Sequence, residues 1–313
     1  MKKKYRDEEA GADSCVNHIS KKTNGIMNVI LTLMALACVL PVLLVIIVSF
    51  SSEQSIFENG YTFFPSEWSL EAYRLFFKMG DQVVRSYGIT LFVTIVGTVF
   101  SLAVTTLLSY VLSRSDYRYG KPLTLLLLFT MLFNGGLVPS YMVNTQLLGL
   151  RDSVWALILP MSLNVFYVVV LRTFFKSIPM EIVEAATIDG SGEFNTFLKI
   201  VLPLSKPGIA TIGLFTMIAY WNDWWNSIML VSDAKYYPIQ YYLMKLKSDL
   251  KNSLESLKQS SANALEYAEM ANNAPTNSGR MALTVLVVLP ILCAYPFFQK
   301  YFVKGLTIGG VKG

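Results

Sequence analysis

The residues with chemistry to offer are few and widely spread. One histidine, His18, and three cysteines, Cys15, Cys38 and Cys293, make up the soft metal ligands and strong nucleophiles. Two of the cysteines sit in apolar runs and no C-x-x-C occurs, so neither a zinc site nor a disulfide framework is expected. No G-x-x-x-x-G-K-[ST] occurs either. Gly120-Lys121-Pro122 lacks the upstream glycine and the hydroxyl residue, so the chain is not expected to bind ATP. One carboxylate, Asp223, stands in an otherwise uncharged apolar stretch, within Thr216-Met217-Ile218-Ala219-Tyr220-Trp221-Asn222-Asp223-Trp224-Trp225-Asn226-Ser227. A charge in that setting is costly and points to function by default; the alternative is a wet carboxylate at the mouth of the stretch. No His/Asp/Glu cluster accompanies it, so no catalytic or metal-binding residue is expected.

The elements that must position these residues follow from composition. Of 313 residues, 53% are hydrophobic and only 15% charged, against about 25% charged in an ordinary soluble domain. Mean hydropathy is +0.47. A soluble chain of this size cannot hide so much apolar side chain, which excludes a soluble enzyme, a nucleic-acid-binding domain and a disordered protein. Six stretches are long and uncharged enough to cross a bilayer: 26–50, 86–112, 122–150, 153–171, 207–230 (interrupted by Asp223) and 281–299. Backbone groups must be satisfied within lipid, so all six are expected as helices. The expectation is an all-α integral membrane protein, with a tail at 1–25, a six-helix domain at 26–303 and a tail at 304–313. Ala35-Leu36-Ala37-Cys38 resembles a lipoprotein processing site, but twelve further apolar residues follow Cys38, and a retained signal-anchor helix is the better reading.

Charge sets the orientation. Sixteen of the 26 Lys and Arg fall in the two tails and in the links after the second and fourth stretches. Acids do not follow the same bias, so these segments carry the positive excess and are expected in the cytoplasm, with both termini. The net charge of +5 is therefore topology and lipid contact, with no nucleic-acid partner implied.

Three links are too long to be simple turns. The first outer loop, 51–85, is rich in aromatics and suits the membrane interface. The second, 232–280, places leucines at 243, 246, 250, 254 and 257, one helical stripe. That stripe fits a helix capping the bundle, a docking surface for an extracellular partner, or both. The inner loop, 177–203, reads as a helix opened by Pro179, broken at Asp189-Gly190-Ser191-Gly192, then a second short helix up to Pro203. Small residues at 185 and 186 permit close approach of another backbone, so a cytoplasmic partner is expected there.

Glu184-Ala185-Ala186, three residues, Gly190, nine residues, then Ile200-Val201-Leu202-Pro203 resembles the EAA loop of permease subunits in binding-protein-dependent ABC importers. Its place between the fourth and fifth stretches fits that family. Phe133-Asn134-Gly135-Gly136-Leu137-Val138-Pro139, Trp155-Ala156-Leu157-Ile158-Leu159-Pro160, Arg172-Thr173-Phe174-Phe175 and Leu202-Pro203-Leu204-Ser205-Lys206-Pro207 are similar to the carbohydrate branch, oligosaccharide permeases of Gram-positive bacteria in particular.

The resemblance implies a type I importer permease fold in a cell membrane, and a transport subunit rather than an enzyme. It implies two cytoplasmic ATPase subunits carrying ATP and Mg, an extracellular solute-binding lipoprotein, and a second permease, by family habit a paralogue. Glu184, Ala185, Ala186, Asp189, Gly190, Ile200 and Pro203 would couple to the ATPase. Substrate would pass between the helices flanking the EAA loop. There Thr216, Tyr220 and Asp223 share one helical face at i, i+4 and i+7, with Trp224 beside them. Such groups give a sugar planar hydrogen bonds and aromatic surface. Asn164, Phe166 and Tyr167 on the fourth stretch are further candidates, though core packing suits each; Asn222 with Asn226 forms the rival face. Asn134-Gly135-Gly136 is read as a structural break in the third stretch. The sugar is expected to be an oligosaccharide, with acidic ones left open. A secondary transporter would want paired ionisable residues in its spans and internal repeats, and neither is visible.

Overall fold

The computed structural model describes residues 21–78, 80–260 and 277–310. Among them every regular element is helical, and extended pairing is limited to one antiparallel bridge between Ser51 and Trp68. The six expected stretches all become helix; the first, second and sixth are single helices, and the third, fourth and fifth are broken or bent.

Helix α1 (Lys21–Ser49) is 29 residues, apolar on every side, and its residues 22–43 are exposed. Only its outer end packs within the chain, on the last helix. Two short helices follow in the outer loop, α2 (Glu53–Asn59) and α3 (Glu71–Lys78). Helix α4 (Gly80–Ser113) has 34 residues, about 50 Å at 1.5 Å per residue. Its buried face is Ser86, Thr90, Thr94, Gly97, Ser101, Thr105 and Ser109, a ridge of small residues at helical spacing. Small residues let backbones approach where lipid supplies no hydrophobic drive between helices.

The third stretch is broken. Helix α5 (Gly120–Leu132) ends before Asn134, whose Oδ1 accepts the Gly136 N–H at 2.9 Å, and α6 (Leu137–Leu147) leaves at 113°. Thirteen helical residues reach about 20 Å, short of the roughly 30 Å hydrocarbon core. The fourth stretch bends by 53° between α7 (Trp155–Met161) and α8 (Val165–Lys176). Asn164 caps α8 there, accepting the Phe166 N–H at 2.9 Å.

At the end of the bundle expected to face inward come α9 (Met180–Ile188) and α10 (Glu193–Leu204), which meets α11 (Lys206–Trp221) at 81°. Midway along α10 the Leu202 N–H reaches the Phe197 carbonyl, a π-helical turn just before Pro203. The fifth stretch was expected to run to 230. Instead α11 stops at Trp221 and α12 (Trp225–Leu230) restarts after a three-residue break. The second long loop holds α13 (Ile239–Ser260), and α14 (Asn277–Gly310), with Pro290 and Pro296 inside it, carries the sixth stretch.

The core is α4, α8, α11 and α14. Its outer half gathers Val93, Leu157, Ile158, Tyr220, Leu230 and Tyr237. Its inner half gathers Tyr110, Leu171, Phe175, Phe197 and Val201. Of the α13 leucine stripe, Leu243 is buried against Val287 and Ile239, and Leu246 packs near Ala72 and Ala282. The side chains of the rest of the stripe, Leu250, Leu254 and Leu257, and the 261–276 segment lie outside the described residues.

Candidate functional site

Two places hold the expected residues. The first is the inner knob. Pro179 precedes α9 and Glu181 lies in its first turn, where negative charge suits the helix dipole. The helix closes with a Schellman motif: Ser191 N–H bonds the Ala186 carbonyl at 2.9 Å and Gly190 N–H bonds the Thr187 carbonyl at 3.0 Å. Gly190 sits at φ +80°, which a residue with a Cβ adopts poorly. Asp189 is the exposed C-cap residue.

The two alanines part company. Ala185 and Glu184 face outward, whereas Ala186 and Val183 are buried against the chain itself. The expectation that both alanines meet a partner is corrected for Ala186, because the helical period puts 183 and 186 together on the inner face. Around Ala185 the knob shows bare apolar side chains: Ile188 is 85% exposed and Phe194 68%. Ile200 is half-buried and Pro203 exposed.

Behind α9 lies a cavity of about 560 Å³, lined by Arg114, Lys176, Pro179, Met180, Glu181 and Val183 among others. Arg114 closes one side, paired with Glu193 at 3.0 Å and Asp116 at 3.3 Å. The Tyr110 hydroxyl donates to the other Glu193 oxygen at 2.8 Å.

The second place is a cavity of about 340 Å³ between α5, α7, α8 and α11. It brings together Asn164, Tyr167, Thr216 and Tyr220, with Thr130, Phe166 and Ala219. Among the described residues no charged side chain lines it. Tyr220 is 2% exposed; its hydroxyl donates to the Ile158 carbonyl at 2.8 Å and its ring lies on Gly97. A Cβ at 97 would meet that ring at 2.7 Å. The Thr216 hydroxyl is buried with no partner among the described residues.

Asp223 and Trp224 do not join this cavity. The shared face of 216, 220 and 223 fails because α11 ends at Trp221, and the chain turns before 223. Asp223 instead accepts the Asn226 N–H at 3.2 Å and its Nδ2 at 3.0 Å, capping α12. The rival face is broken as well. Exposed Asn222 receives the Gln240 amide at 3.1 Å and so ties α11 to the outer loop.

Several residues escaped the sequence reading. The small-residue ridge of α4 was legible as spacing alone, at 86, 90, 94, 97, 101, 105 and 109. Glu53 was not: its carboxylate receives the Asn277 and Ser278 backbone N–H groups and the Ser278 hydroxyl, capping α14 from more than two hundred residues away. Nor was Asp152, whose carboxylate accepts the Ser232 and Asp233 N–H groups and is held below its usual pKa chiefly by those two bonds.

Residues 79–308 match the family described as binding-protein-dependent transport system inner membrane component. The chain is 40% identical over 285 residues to the polygalacturonan/rhamnogalacturonan transport system permease protein YtcP of Bacillus subtilis, covering 90% of this chain and 96% of that one. An arabinooligosaccharides transport system permease protein, AraQ of Halalkalibacterium halodurans, is 27% identical over 94% of this chain and 100% of its own length. Among solved structures, one chain of a bacterial ABC transporter involved in the import of the acidic polysaccharide alginate superposes with TM-score 0.77 at 29% identity, covering 92% of this chain and 100% of that one.

Proposed function

We propose that this chain, which belongs to the family of binding-protein-dependent transport system inner membrane components, forms half of the pathway by which an ABC importer takes up an acidic oligosaccharide. It is a transport subunit and not an enzyme; ATP is hydrolysed on a separate subunit. The protein is a membrane component; the positive-inside pattern supports cytoplasmic termini, and the similarity to permeases of Bacillus subtilis and Halalkalibacterium halodurans supports a Gram-positive cell. We read its partners as a second permease, a paralogue, with two ATPase subunits inside and a solute-binding lipoprotein outside.

The observation that carries the coupling role is the rigid inner knob. A Schellman-closed helix presents Glu184, Ala185 and Ile188 outward on a scaffold of Val183 and Ala186. It is suited to seat in a cleft of the ATPase, with Glu184 meeting a basic residue, Asp189 and Gly190 holding the turn, and Ile200 and Pro203 setting the angle into α11.

For the pathway, the uncharged cavity at Asn164, Tyr167, Thr216 and Tyr220 supports passage of sugar hydroxyls. Asn164 offers its amide and Tyr167 an aromatic face stacked on Phe215. Thr216 offers a hydroxyl with no bonding partner among the described residues; leaving such a group unsatisfied costs about 1–3 kcal/mol. Asp223 and Trp224 act at the outer rim, where the capped carboxylate shapes α12. With no charged side chain among the described residues lining this cavity, the negative charge of a uronate falls to the second permease to meet.

Acidic cargo is favoured because a polygalacturonan/rhamnogalacturonan permease and an alginate importer are both similar to this chain over nine-tenths of its length. The test is uptake of radiolabelled oligogalacturonate by cells carrying the chain with its partners, against cells lacking it. Loss of oligogalacturonate uptake with neutral arabino-oligosaccharide uptake unchanged is expected. The reverse pattern overturns the acidic assignment.

A further inference from the structure

Helix α9 is seated on its own chain through Val183 and Ala186. The cavity of about 560 Å³ lies behind its first turn, at Pro179, Met180, Glu181 and Val183. Its main packing is against α10. A push on α9 therefore enters the bundle through α10, and a polar cluster ties α10 to the membrane helices. Glu193, its first residue, receives the Tyr110 hydroxyl at 2.8 Å and pairs with Arg114 at 3.0 Å. The Arg114 side chain is 15% exposed and that of Glu193 61%, so the pair sits at the rim and its strength rests on the Tyr110 hydroxyl bond beside it rather than on the ion pair alone. Beneath it, the Phe197 ring packs tilted against Tyr110 at 4.9 Å, and Val201 joins the same cluster.

Tyr110 belongs to α4 and Arg114 directly follows it. That helix is an unbroken rod of 34 residues reaching from inside to outside. Its outer end is pinned in turn: Gln82 donates to the Ala234 carbonyl at 2.7 Å, and the Thr90 hydroxyl accepts the Ile239 N–H at 2.8 Å. Both partners belong to the outer loop.

We propose that Tyr110, Arg114 and Glu193 form a latch that carries movement of α9 into α4, and through α4 to the outer loop at Ala234 and Ile239. Glu193 and Arg114 are positioning residues: they touch neither ATP nor sugar. The inference rests on the reading that α9 seats in the ATPase.

The test uses the whole complex in proteoliposomes, with binding protein and oligogalacturonate as probe. Glu193→Gln and Tyr110→Phe should still co-purify with the ATPase and hydrolyse ATP, while sugar moved per ATP falls about tenfold, within the range of ordinary coupling free energies. Arg114→Glu should uncouple similarly, and Arg114→Glu with Glu193→Arg should recover most of the loss. In parallel, spin labels at positions 188 and 84, both strongly exposed, should move together on ATP addition in the parent and not in Glu193→Gln. Unchanged sugar per ATP in both conservative variants overturns the latch, as does a charge swap no better than Arg114→Glu. Loss of the ATPase from Glu193→Gln also overturns it, because Glu193 would then be a docking contact. Failure of the underlying reading looks different: the parent complex would carry its ATPase without any contact to position 188.

Discussion

At the scale of single residues, tight packing and capping decide most outcomes. Gly97 lies where a Cβ would sit 2.7 Å from the Tyr220 ring. Gly97→Ala should lower the melting temperature in detergent, at a cost of about 1–3 kcal/mol, whereas Tyr220→Phe removes only a hydroxyl bond to Ile158 and should cost about 1 kcal/mol. Asp223 caps α12 through Asn226. Asp223→Asn keeps an accepting oxygen and should retain most transport; Asp223→Ala should cost about 1 kcal/mol of local stability. Outside the spans, Asp152 gives a pH signature. Its two backbone donors, Ser232 and Asp233, favour the carboxylate and depress its folded pKa below the usual 3.8. The stabilisation is therefore complete above 3.8 and fades as pH falls through the depressed value. The melting-temperature gap between parent and Asp152→Ala should be constant around neutrality and narrow only below that usual value.

At the scale of elements, the inner knob and the broken spans matter most. The Schellman turn requires a left-handed residue, so Gly190→Val should loosen α9 and reduce coupling, read as binding-protein-stimulated ATP hydrolysis, while the spans stay folded. The EAA pattern makes this loop legible in the sequence, because Pro, Glu, small residues and Gly sit at fixed offsets with local meaning. Which alanine faces out was not legible: at 185 and 186 both are small, and only the burial of Val183 one turn earlier orients the helix. Helix existence was readable from long uncharged runs. Helix continuity was not, because hydropathy is blind to the side-chain caps that stop helices. Asn134, Asn164 and Asp223 each bond a nearby backbone N–H and end or bend a run that stays apolar throughout. The pathway face drawn at 216, 220 and 223 failed for that reason, while 216 and 220 held together with 164 and 167 around one cavity.

At the scale of the molecule, the chain leaves surfaces that a larger assembly would cover. Residues 22–43 of α1 are exposed, and from Ile26 on they are almost all apolar, while the cavity at Thr216 is open to the surface. A second permease and lipid complete both surfaces in the proposed assembly. Long-range ties such as Glu53 to Asn277 and Ser278 hold the outer loop onto α14, and no local spacing could announce them. In the proposed assembly ATP energy enters at the inner face, through the outward side of α9. The direct measurement is cysteine cross-linking of the assembled complex, one position at a time, on a chain lacking Cys15, Cys38 and Cys293. Ala185→Cys and Ile188→Cys should form cross-links to the ATPase subunit, and Ala186→Cys should not. Cross-linking at 186 equal to that at 185, or none at 185 and 188 in a complex that still hydrolyses ATP, would contradict it.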